Sequence, residues 1–493
     1  MSVSDEVLTG VRAALERAEY TVARVRALLG PVAGGALARE EIVPALRATT
    51  GGSPLEVFVR LLWLQVPVAA TAVPEEFFAA GLAERVGERA RPLLRVQPVE
   101  GVDGRHLGYA VSDLAVRPGS KRTPRPDHVV GSGGASAGLA QLVVHRPVDN
   151  ALDLGTGCGV QVLHLADRAR SITATDLNPR ALQLARMSFA LSGVEGVELL
   201  HGSLFEPVAD RRFDLIVSNP PFVISPGEGL TYRESGLPGD EVCRRLVAGA
   251  PQRLTEGGWC QMLANWLLIE GEPWQERLAG WVPAGCDAWI VQRDVQDPAE
   301  YVELWLRDSC EAGTAEYTTR YDAWLDCLER WGATGIGFGW ITLRNSGAAD
   351  PVVRVEEIRH PVEQPVGAYV ERVLDGLVAG SKFSTACPQG LRTAVDIAQE
   401  QIGPPGAEDP ERIVLRQRGG LRRAAAVGTV EAALAGVCDG ALPLPPLLDA
   451  IAQLLDLSPE QVRAHADAVL PELIADGFFE VTGEAAGEET GRA

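Results

Sequence analysis

The stretch Ala151–Val160, "ALDLGTGCGV", restricts the folds open to this chain more than any other. A short apolar run ends in Asp153. Gly155, Gly157 and Gly159 follow at alternate positions, and a helical pattern resumes at Val160. Glycines placed in this way admit positive φ and let a ligand approach the main chain closely. N–H groups exposed at the following helix start suit a carboxylate or phosphate. A glycine turn between a strand and a helix is the context in which such a motif carries meaning.

The next strand-like run, "SITATDLN", ends in Asp176, 23 residues after Asp153. A carboxylate at that offset can accept hydrogen bonds from both hydroxyls of a ribose, the plain alternative being a buried structural Asp. Further apolar runs follow at "GVELLHGSLF", "FDLIVSNPPF", "GGWCQMLANW" and "CDAWIVQRD", with helical stretches such as "PRALQLARMSFALSG" between most of them. Strands that are nearly continuous in apolar residues belong in a parallel sheet covered on both faces. Their alternation with helices predicts a doubly wound α/β sheet. "DPAEYVELWLRDSCEAGTAEYTTRYDAWLDCLERWGATG" reads as a helical insertion whose Trp and Tyr residues are core. "GIGFGWITLR" and "PVVRVEEIRH" read as an antiparallel pair at the sheet edge.

The glycine turn alone would also suit a dinucleotide enzyme. However, it is GxGxG without a Gly or Ala at the sixth position, because Gln161 follows Val160. Asp153 stands two residues before the first glycine, where a carboxylate can face an ammonium group. S-adenosylmethionine has an ammonium, a ribose and an adenine but no pyrophosphate. A further apolar strand runs into Asn219-Pro220-Pro221-Phe222. Two prolines cannot donate to a sheet ladder, so the strand must stop in a stiff corner holding the Asn219 amide and the Phe222 ring.

"LDLGTGCG", "DLNPRAL", "LFEP" and "SNPPF", in this order and spacing, resemble the class I S-adenosylmethionine-dependent methyltransferases. The resemblance is to the "small domain" branch with an Asn-Pro-Pro-aromatic loop, which includes release factor glutamine methyltransferases and RNA guanine and adenine methyltransferases. It covers about Asp127 to Arg359. It implies that Asp153, Gly155, Thr156, Gly157 and Gly159 cradle the methionine half of S-adenosylmethionine. Asp176 would hold the ribose, with Leu177 beside it. Many members have an Asp where this chain has Ser203, so Ser203 Oγ or the Leu204 N–H would contact the adenine instead. Asn219, which would also contact the cofactor, and the Pro220 carbonyl would accept hydrogen bonds from a planar NH₂ on the substrate, Pro221 would stiffen the loop and Phe222 would stack on the planar group. The implied fold is a central Rossmann-like class I methyltransferase domain. The implied activity is N-methylation of a protein glutamine or a nucleic-acid base, RNA before DNA. A degenerate methyltransferase-fold scaffold or binding protein is the alternative from another class.

The 493 residues suffice for several domains. The expected division is a helical, winged-helix-like 1–125, the methyltransferase domain 126–360 with its insertion at 295–334, a helical, winged-helix-like 361–483, and a disordered tail 484–493. "PPGAEDP" reads as a linker. The net charge of −21 argues against a free-standing nucleic-acid binder. The basic run Arg117–Pro126 reads as a solvated linker, whereas winged-helix-like flanks favour nucleic acid. Eight scattered cysteines without metal-ligand spacing predict neither a metal site nor disulfides. The first residues do not resemble a signal peptide, and "LEVFVRLLWLQVPV", broken by Arg60 and Pro67, reads as a buried helix. These features together predict a cytoplasmic enzyme with no membrane partner. In "TYRESGLPGD", Arg233 and Glu234 are weak candidates for substrate contact within a lid. His128 is left out of the candidate site as structural.

Overall fold

The runs of alternating strand and helix pattern come together in one eight-stranded sheet. The structure, a computed structural model, describes residues 3–116, 125–226, 237–306, 314–386, 389–406 and 410–484. The sheet strands are β1 (Val148–Leu154), β2 (Ala169–Asp176), β3 (Glu198–His201), β4 (Phe213–Ser218), β5 (Leu254–Ile269), β6 (Cys286–Gln296), β7 (Ala333–Asn345) and β8 (Val353–Glu357). Their order is β8-β6-β7-β5-β4-β1-β2-β3. Strands β1 to β5 are mutually parallel where they pair, and β7 runs antiparallel between β5 and β6. The expected edge pair does not form. β7 is interior, and β8 is the edge strand, parallel to β6. The local patterns of β7 and β8 carried no information on partner choice. β5 and β6 each present an open ladder, and β7 satisfies both.

Helix α1 (Gly134–Leu142) leads into β1, and α2 (Val160–Leu165), α3 (Pro179–Ser192), α4 (Glu241–Gly249) and α5 (Trp274–Ala279) connect the strands. The start of α3 follows from its sequence. Asn178 Oδ1 accepts from the Arg180 N–H at 2.9 Å, and Pro179 occupies the first turn, where no N–H is needed. The insertion forms α6 (Pro298–Leu306) and α7 (Ala315–Arg330), between β6 and β7.

The first 100 residues are helical before they are extended. Helix Asp5–Arg17 starts at the expected Ser4 cap. The single helical pattern after it is broken at Glu19, φ 51°, and resumes at Val22. Ser53 and Glu56 form a reciprocal cap for "PLEVF", whose continuation is buried as expected. A small three-stranded antiparallel sheet follows. Then the hairpin Leu94–Glu100 and His106–Asp113 lies against α3. Ser188 Oγ and Ser192 Oγ accept from the Val111 and Tyr109 N–H groups, both at 2.8 Å. Gly108 permits this approach, because a Cβ there would overlap Ser192. One apolar core therefore runs from Leu8 to Val160 and Phe189 without a gap.

After β8, helix Gly367–Ser381 packs against Pro459–Ala475. The three expected helices are present at Thr429–Val437, Leu444–Leu454 and Pro459–Ala475. Short strands that the pattern left unassigned surround them. Ile397–Ile402 and Arg412–Gln417 pair antiparallel, so "PPGAEDP" lies in a hairpin connection and not between domains. Arg423 and Glu356 join this region to the edge strand β8, and Arg354 reaches Asp476 at 2.5 Å. Glu484, placed in the tail, is the last residue of a strand, whereas the tail from Ala485, the basic run up to Pro124, Arg233 and Glu234 lie outside the described residues. Among the described residues, no helix is long and apolar enough to cross a membrane, and no cluster of three or more metal-ligating side chains occurs.

Candidate active site

Parallel pairing puts three motifs at one end of the sheet. Leu154 is in register with Thr175 on one side and Ser218 on the other. The glycine turn, Asp176 and Asn219 therefore leave adjacent strands at the same level. Two strand spacings separate the outer pair, roughly 10 Å. Ser218 Oγ donates to the Leu154 carbonyl at 2.7 Å, fastening the start of the Asn-Pro-Pro loop to the strand that carries the glycines.

The turn is held from within. Gly155 and Thr156 both donate to the Thr175 carbonyl at 2.9 Å, and Thr156 Oγ1 donates to Asp153 Oδ2 at 2.7 Å. Asp153 is 1 % exposed. Burial pushes its carboxyl up to about 7 against the Thr156 bond that lowers it, and the nearby Asp176 charge raises it further. The three glycines have φ of 76°, 54° and 85°. They do different work. A Cβ on Gly155 or Gly157 would meet nothing within 4 Å, so these two border open space into which a ligand can come. A Cβ on Gly159 would lie 2.5 Å from the Phe189 ring. Gly159→Ala is therefore expected to cost roughly 2–4 kcal/mol from overpacking and left-handed strain. Gly157→Ala, strained but not overpacked, should cost about 1–2 kcal/mol. Denaturant unfolding of the two variants checks this; equal losses would contradict it.

Asp176 Oδ2 accepts from the Gly157 N–H and Oδ1 from the Asn178 N–H, each at 2.8 Å. Each carboxylate oxygen has two lone pairs, so one on each remains for a vicinal pair of hydroxyls. Burial raises this carboxyl, opposed by the two N–H bonds and by His201. His201 Nε2 lies 2.9 Å from the Leu177 carbonyl and was not singled out in the sequence; it is brought in by β3. The Leu177 side chain is 63 % exposed beside Asp176, an apolar surface suited to a flat ring. On the next loop the Ser203 N–H donates to Glu206 Oε2 at 3.3 Å, which removes that N–H from the available donors. Leu204 has φ 46°, unusual for a non-glycine residue, and its N–H has no partner among the described residues.

Asn219 is half-buried, Pro220 buried, Pro221 exposed and Phe222 half-buried against the core below the sheet. The Phe222 N–H donates to the Pro220 carbonyl at 2.8 Å, closing a tight turn and leaving that oxygen one lone pair. No described residue hydrogen-bonds to the Asn219 side chain. The loop's exit is tied elsewhere, through Ile224 N–H to Tyr301 Oη at 2.7 Å. Tyr301 comes from the insertion, 77 residues downstream. Its helical spacing marked it only as core. His128 is nearly buried with its Nδ1 3.9 Å from Asp113, in line with a structural role. A cleft of 880 Å³ lined by Asp149, Asp214, Glu256, Trp259 and Arg344 opens at the other end of the strands, away from every residue of the candidate site.

The family model described as methyltransferase small domain matches residues 133–270, and a domain of unknown function (DUF7059) matches residues 17–93. The chain is 34 % identical over 138 residues to the release factor glutamine methyltransferase of Xylella fastidiosa, covering 26 % of this chain and 50 % of that protein. It is 36 % identical over 165 residues to the one from Vibrio cholerae, covering 30 % and 54 %. A ribosomal protein uL3 glutamine methyltransferase from Bradyrhizobium diazoefficiens is 33 % identical over 139 residues, with 25 % and 44 % covered. The chain thus spans about half the length of the curated relatives it matches. Among solved structures, a 16S rRNA N2 G1207 methyltransferase from T. thermophilus, in complex with AdoMet and guanosine, is 18 % identical. It covers 46 % of this chain and 55 % of that one, at a TM-score of 0.27.

Proposed function

We propose, from the membership of residues 133–270 in the methyltransferase small-domain family, that this chain methylates a planar nitrogen with S-adenosylmethionine as donor, and that the nitrogen is a glutamine side-chain amide in a protein. The observation that carries the reading is Asn219. It is an amide without a described partner, at the end of β4, on a proline-stiffened turn beside a glycine cradle.

The cradle fits the donor. Open space at Gly155 and Gly157, the spare lone pairs of Asp176 and the exposed Leu177 face match a methionine main chain, a ribose and an adenine. When bound, the donor supplies a methyl group on a positively charged sulfur. The protein supplies position. An amide nitrogen is a poor nucleophile because its lone pair is delocalised. Asn219 Oδ1 and the free lone pair of the Pro220 carbonyl accept the two N–H groups, which fixes the nitrogen's direction and offsets positive charge developing on it. Phe222 stacks on the amide plane. Holding nucleophile and methyl in line supplies much of the rate; a strong base is not required before transfer, because the nitrogen gives up its extra proton to solvent after the carbon–nitrogen bond has formed.

Two observations support glutamine over a base. The matched relatives quoted above are glutamine methyltransferases by name. In addition, the helices that bury the loop's exit are acidic. The described residues of α6 and α7 include six carboxylates (Glu300, Glu303, Glu316, Asp322, Asp326, Glu329) against Arg320 and Arg330, and Arg320 is already paired with Glu316 at 2.8 Å. An acidic pair of helices next to the loop's exit opposes a phosphate backbone, whose contacts supply most nucleic-acid affinity. The test is transfer of radiolabelled methyl from S-adenosylmethionine into a lysate of cells lacking this gene. The labelled product is then split by protease or nuclease. Protease-released label is expected. Nuclease-released label would replace glutamine by a base, and no label together with no cofactor binding would remove the methyltransferase reading.

A further inference from the structure

We infer that Tyr301, in the insertion between β6 and β7, is a positioning residue for the Asn-Pro-Pro-Phe loop: its hydroxyl fixes the loop's exit and thereby the direction of the Asn219 acceptor. This rests on the reading of Asn219 above. The chain leaving Phe222 dives under the insertion at once. Val223, Ile224 and Ser225 are buried, Ile224 at 1 % exposure. A buried N–H must find an acceptor, and beyond β4 the described residues of the loop have strand-type pairing only at a single bridge residue, Val223. Tyr301 Oη provides it for Ile224 at 2.7 Å.

The hydroxyl is itself immobile. Tyr301 is fully buried, with Trp305, Trp324 and Phe338 rings at centroid distances of 6.0, 6.2 and 5.7 Å. Val223, Ile224, Tyr301, Trp324 and Leu328 form a separate small core with Leu267 and Ile336 of the sheet. Burial holds the phenol above its ordinary range, so it stays protonated at any working pH. Four residues lie between Asn219 and Ile224, two of them prolines. A stiff link of that length transmits a shift at its end, whereas a flexible one would absorb it. The insertion is thus a brace for the loop.

The experiment compares Tyr301→Phe with Trp324→Phe, which thins the same small core but keeps the hydroxyl bonded to Ile224. In Tyr301→Phe the fraction of amide hydrogen exchanged at Ile224 should rise at least tenfold in rate, S-adenosylmethionine affinity should stay within about twofold, and kcat for methyl transfer should fall about 10- to 100-fold. Trp324→Phe should leave kcat within about threefold at equal or greater loss of melting temperature. Unchanged exchange at Ile224, wild-type kcat in Tyr301→Phe, or an equal kcat loss in both variants would overturn the inference. Exchange needs no substrate, so it tests the brace even if wild-type protein transfers no methyl, a result that would instead count against the proposed function.

Discussion

Asn219→Ala protein is expected to bind S-adenosylmethionine with affinity close to wild type and to transfer methyl about 100- to 1,000-fold more slowly. The size follows from what the side chain does. On the proposed function it offers an acceptor where positive charge grows in the transition state, and no described residue hydrogen-bonds to it. The fold should be unaffected, since Ser218 and not Asn219 fastens the loop to β1. Asn219→Gln should not rescue the rate, because one added methylene moves the acceptor by more than a productive geometry allows. Calorimetry for the cofactor and single-turnover transfer of labelled methyl separate the two effects. A variant retaining more than a tenth of the wild-type rate would mean that the acceptor lies elsewhere.

Asp176→Ala should act on the other half of the site. Two charge-assisted hydrogen bonds to a ribose, each about 1.5–3 kcal/mol, correspond to a loss of roughly 100- to 10,000-fold in S-adenosylmethionine affinity. Part of this loss is indirect. The same carboxylate accepts from Gly157 and Asn178, so its removal also frees the turn that forms the cradle. Asp176→Asn keeps one acceptor oxygen, and its loss should be smaller. A thermal shift is the simplest readout. Cofactor at 100 times its Kd stabilises the wild type by about 2.7 kcal/mol, and at the same concentration Asp176→Ala should gain at most about 0.4 kcal/mol. An undiminished shift would place the ribose away from β2.

The order of strands and motifs was legible because each signal is local. The apolar runs that became β1 to β6 could be read from composition, and Asp153, the three glycines and Asp176 from strand-to-turn transitions a few residues long. Pairing was not legible. β7 and β8 have the composition of strands but no mark of their neighbours, and the edge assignment failed there. The strands of 389–427 were missed because they are short and polar enough to resemble loop. His201 escaped notice for another reason. Its contact with the Leu177 carbonyl spans 24 positions and follows only from β2 and β3 lying side by side.

By itself, then, the amino-acid sequence determined a doubly wound sheet with a glycine turn, an acidic strand end and an Asn-Pro-Pro-Phe corner. These depend on backbone preferences of Gly, Pro and apolar runs, which act over a few residues. Tertiary structure alone decided that the glycines divide between open cradle and tight packing on Phe189, that the N-terminal hairpin seals α3, and that a tyrosine 77 residues away holds the exit of the loop. The physical reason is that a buried N–H or a crowded Cβ selects its partner by proximity in space, and proximity exists only once the sheet has formed.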